Sequence, residues 1–224
     1  MFAFTMLNLT SDEQKMEWLP RVINCNILGT YAQTELGHGT NLRALETIAT
    51  YNKNTKEFIL NSPTSTALKW WPGNLGHTAN YAILMAQLEI DGKNYGIQPF
   101  IVQLRDEETH KPMQGITLGD IGNKFGFDTV NNGYVALKNV RIPRKNMLMK
   151  NSEVTEDGTF IKPANSKLNY GTMMFIRVGL VALASRLLAK ACTVALRYSC
   201  IRRQSPINPD EPEPKIIDHF TQQN

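Results

Sequence analysis

The hydrophobic period of the chain switches from strand-like to helical after Pro143, and no other feature constrains the fold as strongly. Between Val22 and about Pro143, short apolar or β-branched runs alternate with turn residues, the pattern of strands. Ile27–Thr34 reads as a strand. Glu46–Tyr51 and Glu57–Leu60 flank a hairpin turn at Asn52–Lys56, and Ala67–Trp71 is halted by Pro72-Gly73. Tyr81–Glu89 and Tyr95–Leu104 flank Asp91-Gly92, a strong hairpin turn because both positions tolerate positive φ. Gly133–Leu137 follows the turn signal Asn131-Asn132. Beyond a polar connector with a turn at Glu156-Asp157-Gly158, the period becomes helical. Phe175, Val178, Gly179, Ala182, Ser185, Ala189, Cys192 and Leu196 recur at three- and four-residue steps, one face of a helix of roughly thirty residues. The expected fold is therefore α+β: an antiparallel β-barrel or sandwich followed by a long helix of a helical bundle.

The flanks are shorter. Ser11 with Gln14, or Thr10 with Glu13, offers a capping box for a helix that Pro20 is expected to end. Pro206, Pro209, Pro212 and Pro214 make Ser205–Pro214 a loop, and Lys215–Asn224 is read as the start of another helix. The long helix is rich in small side chains, so a second helix can approach it closely. A stripe of this length needs a partner, and isolation would expose a large apolar patch; self-association of the isolated chain is expected.

Composition excludes more than it proposes. The net charge of +4 over 224 residues, with basic residues scattered, gives no footprint for nucleic acid. Three cysteines without a CxxC pair read as free thiols of a reducing compartment; Cys192 and Cys200 fall in the helical pattern and are expected in a core. The opening MFAFTMLNLT lacks a basic n-region and a small-residue cleavage site. Tyr81–Leu88 and Val178–Leu188 are read as too short, or too interrupted by Arg186, to span a bilayer. There is no P-loop, no GxGxxG, no HExxH and no GxSxG, and His38, His77, His110 and His219 lack metal-ligand spacing. No metal and no membrane are expected.

Two stretches carry chemistry. In Tyr31–Asn41 (YAQTELGHGTN) a strand delivers a hydroxyl and an acid onto a glycine-rich loop. Such loops bring backbone N–H groups close to a planar or anionic ligand, though a tight turn with solvated side chains has the same composition. In Lys69–Asn74 (KWWPGN) two tryptophans precede a glycine, a wall for an aromatic ring or a pair of core indoles.

The order of these segments resembles the acyl-CoA dehydrogenase and oxidase superfamily. It runs YAQTELGHGT, LNSPTSTALKWWPGNLGHTAN, HKPMQGITLGDIGNKFGFDTVNNGY, LKNVRIPRKNML, and LNYGTMMFIRVGL with ALRYSCIRRQS. WWPGNLG and the insertion RDEETHKPMQG resemble the peroxisomal acyl-CoA oxidase branch rather than the dehydrogenases. The resemblance implies the end of an N-terminal helical domain in residues 1–20, a flavin-binding β-barrel in 21–150, and the connector and first helix of a C-terminal helical domain in 151–224. It implies FAD as cofactor, with Thr34 and Gly73 at the flavin, Glu35, Gly39, Thr40 and Trp71 near it, and Arg202 at the pyrophosphate across a subunit interface, where a guanidinium fork suits. The implied reaction is α,β-dehydrogenation of a fatty acyl-CoA, with molecular oxygen reoxidising the flavin to give hydrogen peroxide, in a peroxisomal homodimer. The family's catalytic glutamate is placed beyond Asn224, so no residue of this chain is assigned as the base. The C-terminal Thr-Gln-Gln-Asn is no targeting tripeptide. A dehydrogenase, or a non-catalytic homologue that binds FAD or pairs with a longer subunit, are the alternatives.

Overall fold

The chain opens with two helices, α1 (Phe2–Leu9) and α2 (Asp12–Ile23). The structure, a computed structural model, describes residues 1–163, 171–206 and 208–223. These form two units, Met1–Thr172 and Met173–Asn224.

Helix α1 turns Phe2, Thr5, Met6 and Leu9 inward, the i, i+3, i+4, i+7 spacing of a one-sided helix. The capping box of α2 uses Ser11 and Gln14: Gln14 N–H donates to Ser11 Oγ (3.2 Å) and Ser11 N–H to Gln14 Oε1 (3.0 Å). The Gln14 amide also donates to Lys145 O (2.7 Å) and Met147 O (2.6 Å), tying the cap to the far end of the sheet. Pro20 does not end the helix; α2 continues to Ile23 with Pro20 inside it. An interior proline costs about 3 kcal/mol. The last turn is held from outside: the Arg21 guanidinium lies 5.1 Å from the Trp18 ring and 5.4 Å from the Tyr81 ring, and it pairs with Glu107 at 2.5 Å.

The strands follow in order: β1 (Gly29–Ala32), β2 (Ile48–Asn52), β3 (Glu57–Asn61), β4 (Lys69–Trp70), β5 (Tyr81–Ile90), β6 (Lys93–Gln103), β7 (Ile116–Asp120), β8 (Gly133–Leu137) and β9 (Val140–Pro143). Antiparallel hairpins β2–β3 and β5–β6 form where the turn residues require them; Asp91 and Gly92 have φ of +51° and +74°. Two pairings are parallel instead. Strand β1 joins the first half of β5 (Gly29 opposite Tyr81) and β2 its second half (Ile48 opposite Gln87), along the same edge. Six strands thus form one sheet around β5, and β4, β8 and β7 form a second, three-stranded one. The connector after Pro143 contains a small hairpin, β10 (Glu153–Val154) with β11 (Phe160–Ile161), closed around Gly158 at φ +87°.

Strand β5 is apolar on both faces, and alternation sends its side chains to two cores. Tyr81 and Ile83 meet Phe2, Met6, Leu9 and Trp18 of the helices. Ala82, Leu84, Ala86 and Leu88 meet Phe58, Phe100, Val102 and Val135. Phe58 lies between Tyr51 (5.1 Å) and Phe100 (5.0 Å) with no exposure; truncating such a ring costs about 3–5 kcal/mol.

The second unit holds α3 (Gly171–Ile201), a 3₁₀ turn at Ile216–Asp218 and the short α4 (Phe220–Gln223). The proline loop folds back on the end of α3: Ile216 N–H donates to Arg202 O (2.8 Å), Gln204 N–H to Pro214 O (3.1 Å), and Gln222 to Ser199 Oγ (3.1 Å). Helix α3 departs from the expected single stripe. Besides Val178 and Leu196, it exposes Leu180, Leu183, Leu187, Leu188 and Val194, so it is apolar nearly all round; the Phe175 side chain lies outside the described residues. Cys192 and Cys200 are exposed, not in a core, because nothing among the described residues covers their helix faces. By length and composition, Ile176–Ile201 is also sufficient to cross a bilayer, with mean hydropathy 1.6, contrary to the sequence expectation. Arg186 and Lys190 sit near its middle, where each costs roughly 2.5–3.5 kcal/mol in lipid. The central helix of a larger bundle has the same composition.

Candidate functional site

Three connections of the first unit converge: residues 33–47 after β1, 71–80 after β4, and 121–132 after β7. Main-chain hydrogen bonds join the first to β4 and to the segment that leads into it. Trp70 N–H donates to Thr34 O (2.9 Å), Leu36 N–H to Leu68 O (2.8 Å) and Gly37 N–H to Thr66 O (3.0 Å). Gly76 N–H donates to Asn131 O (3.1 Å), joining the second to the third, and at the start of β8 Gly133 O accepts from Trp71 N–H (3.0 Å) while Gly133 N–H donates to Pro72 O (3.1 Å). Thr30 Oγ1, from β1, donates to Gly73 O (2.7 Å).

Two glycines permit this approach. A Cβ at Gly133 would lie 2.4 Å from Gly76 N and 2.7 Å from Gly119 O, so three backbones meet where only hydrogen fits. A Cβ at Gly73 would press Val130 Cγ1 at 3.3 Å. Asn131 and Asn132, read from sequence as turn residues, grip the middle connection: Asn132 Nδ2 donates to Trp71 O (2.6 Å), and Asn131 Oδ1 accepts from His77 N–H (3.1 Å).

The tryptophans separate. Trp70 stacks on Tyr134 at 5.7 Å and 18°. Trp71 has φ +88° and is 52% exposed. A non-glycine residue held there is strained by about 1–3 kcal/mol, and its two backbone bonds hold it in place. The result is a free indole face beside Gly73. Thr34 is half-buried, and its hydroxyl has no hydrogen-bond partner among the described residues. Gly39 and Thr40 lie exposed on the loop, with no atom within 4 Å of a Cβ at Gly39. Phe125 and Phe127 of the third connection are also exposed, Phe127 at φ +59°.

Glu35 faces the other way. Its carboxylate is fully buried and pairs with the equally buried Lys69 at 2.9 Å. It also accepts from Glu46 N–H (2.7 Å), Thr47 N–H (2.9 Å) and Thr47 Oγ1 (2.5 Å). Burial alone raises its pKa, but the Lys69 charge and these hydrogen bonds outweigh burial and hold it below the usual carboxylate value. Burial pushes Lys69 down to about 8, with Glu35 resisting. Lys69 Nζ further donates to Gln33 O (3.2 Å) and Met85 O (2.7 Å). The side chain of Glu35 thus anchors the first connection to β4 and β5. His38 is held by Glu46 at 2.8 Å.

Arg202 belongs to the second unit, where its N–H caps the end of α3 through Tyr198 O (2.9 Å) and its side chain is exposed. Among the described residues no group of three His, Cys, Asp or Glu side chains is placed to hold a metal. The site can therefore grip and orient a flat ligand, with an unpartnered hydroxyl, an exposed indole and a close glycine backbone.

Residues 30–140 match the acyl-CoA dehydrogenase middle-domain model, and residues 170–224 the acyl-CoA oxidase C-alpha1 domain model. The chain is 59% identical over 223 residues to peroxisomal acyl-coenzyme A oxidase 1 of Bos taurus, and 58% identical to acyl-coenzyme A oxidase 1 of Drosophila melanogaster. Each match covers 100% of this chain and 34% and 33% of the relative, respectively, so the chain spans about a third of their length. The Caenorhabditis elegans acyl-CoA oxidase-2 bound with FAD, ascaroside-CoA and ATP superposes with TM-score 0.93 at 49% identity. Arabidopsis thaliana acyl-CoA oxidase 1 superposes with TM-score 0.94 at 44% identity. Both structures cover 100% of this chain, which covers 34% of theirs.

Proposed function

The chain belongs to the acyl-CoA oxidase family, and from that premise we propose that it builds the FAD site of a peroxisomal enzyme that oxidises fatty acyl-CoA to the trans-2-enoyl-CoA. What supports the reading is the Trp70 N–H to Thr34 O bond (2.9 Å), which brings Thr34, with its unpartnered hydroxyl, beside the strand end that leads to the exposed Trp71, at φ +88°, and to Gly73. These groups fit an isoalloxazine: a hydrogen-bond donor for a ring heteroatom, a flat wall, and a surface without a side chain. When bound, FAD supplies the hydride acceptor, and molecular oxygen takes up its electrons.

In this reading, Thr34 donates its hydroxyl to the ring, and Trp71 covers one face and excludes water. Gly73 lets the strand end lie against the ring edge. Gly39 and Thr40 offer N–H groups on the same loop, while Glu35 fixes the loop from behind. Arg202 serves the pyrophosphate of a second copy's cofactor in a homodimer. No residue of this chain is assigned as the base that removes the α-proton.

The test is the absorbance spectrum of the purified chain after incubation with FAD and removal of free cofactor. Retained, perturbed flavin bands are expected. A colourless chain refutes the claim that these connections make the site. In the whole protein, peroxide release with acyl-CoA separates an oxidase from a dehydrogenase, whose reduced flavin is slow with oxygen.

A further inference from the structure

The hairpin 105–112, the insertion that resembles the oxidase branch, folds onto the segment that follows Gly73. Arg105 is only 6% exposed. Its Nη1 donates to Leu75 O (3.2 Å) and Ala79 O (2.9 Å), and its Nη2 to Gly76 O (2.8 Å). Among the described residues no carboxylate lies within ion-pairing distance of it. His110, at φ +59° on the hairpin, places Nε2 2.6 Å from His77 O. Leu104 N–H and Arg105 N–H both donate to Asn80 O (2.8 and 3.2 Å). Five carbonyls, at 75, 76, 77, 79 and 80, are therefore held by one short element.

The hairpin is itself rigid. Asp106 N–H donates to Lys111 O (2.8 Å) and His110 N–H to Asp106 O (3.0 Å), while Asp106 Oδ1 accepts from Thr109 N–H and hydroxyl at 2.8 and 2.7 Å. Glu107 takes Arg21 at 2.5 Å and Tyr81 Oη at 2.6 Å, fixing the hairpin to α2 and to the first residue of β5. A buried cation without an acid is costly, and an apolar side chain fills such a space more cheaply when packing is the only need. What an apolar residue cannot do is donate to three carbonyls at once, in a fixed fork.

We propose that Arg105 and His110 are positioning residues of the flavin site: together they clamp residues 75–80 and so fix where Trp71 and Gly73 present themselves. The inference rests on the flavin reading above. It gives the insertion a role, as the element that sets the second connection against the third.

The test combines amide exchange, read by mass spectrometry over residues 73–79, with FAD titration of the same proteins. The variants are Arg105→Met, Arg105→Lys and His110→Ala. Arg105→Met is expected to speed exchange about tenfold or more and to weaken FAD binding about tenfold or more, with altered fine structure in the bound-flavin band. Arg105→Lys, which keeps the charge and loses the fork, is expected to fall between it and the parent. His110→Ala, an exposed change that leaves the core intact, is expected to move both readouts about threefold. Unchanged exchange in folded Arg105→Met and in His110→Ala overturns the clamp. Faster exchange with unchanged FAD affinity overturns its role at the flavin. If Arg105→Met does not fold, Arg105→Lys and His110→Ala decide. A parent chain that takes up no FAD overturns the flavin reading instead, and exchange alone then shows whether the clamp exists.

Discussion

Substituting Lys69 by Met removes one partner of a pair in which both side chains have no exposure. The thioether fills similar space, so the effect is electrostatic rather than steric. Glu35 is left as a buried carboxylate with only the Glu46 and Thr47 donors, and Gln33 O and Met85 O lose a donor each. Breaking a buried pair from one side costs about 3–5 kcal/mol. For a unit of this size each kcal/mol lowers the melting temperature by about 2–4 °C, so a fall of about 12 °C is expected. Glu35→Gln in the Lys69→Met background removes the stranded charge while keeping an acceptor for Thr47, and should recover about 1–3 kcal/mol. The assay is urea denaturation followed by tryptophan fluorescence across the four-member cycle. A cost below about 1 kcal/mol for Lys69→Met, or a double variant no better than the sum of the singles, refutes the argument.

Thr34→Val should weaken FAD binding about tenfold, the worth of one hydrogen bond to a ligand, with no change in melting temperature; Thr34→Ser should restore affinity in the same titration. Trp71→Gly relieves the backbone at φ +88° and should leave the melting temperature equal or higher, while FAD affinity falls about tenfold with loss of the indole wall; lower stability with unchanged affinity refutes this. Because the Glu35 pKa is held below its ordinary value, its contribution is present above the unfolded carboxylate pKa and lost as pH falls through the folded one; urea midpoints should drop below about pH 4.5, less steeply in Glu35→Gln. Light scattering should find the chain self-associated through the exposed apolar surface of α3, and a monodisperse monomer contradicts that.

Much of the sheet was legible because turn chemistry is local. Asp91-Gly92 and Asn52–Lys56 announce their hairpins whatever surrounds them. Partners in parallel pairings leave no such mark, so the seating of β1 and β2 on one edge of β5 was invisible. The stretches Tyr31–Asn41 and Lys69–Asn74 stood out by composition, and the family resemblance pointed to Thr34, Trp71 and Gly73 within them. Lys69 did not, since a lysine in a strand reads as a solvent-facing residue until Glu35 is brought to it from 34 positions away. Gly133 likewise read as a strand start, and its crowding by two other backbones is a purely tertiary fact. Pro20 misled because a local rule was overridden by stacking of Arg21 on Trp18 and Tyr81. Cys192 and Cys200 misled because a helical pattern reports which residues seek cover, not whether cover is there.

The shared edge of β5 also sets how the connection after β1 can change over time. Ala32 sits opposite Leu84 and Ile48 opposite Gln87, so the excursion between them leaves and returns to anchor points about 10 Å apart on one strand. Its span is fixed by that strand and not by its own length. Lengthening a surface loop between fixed ends costs little, about 0.6 kcal/mol per doubling. Insertions at its exposed tip, beside Asn41, are thus expected to leave the strands beneath in register.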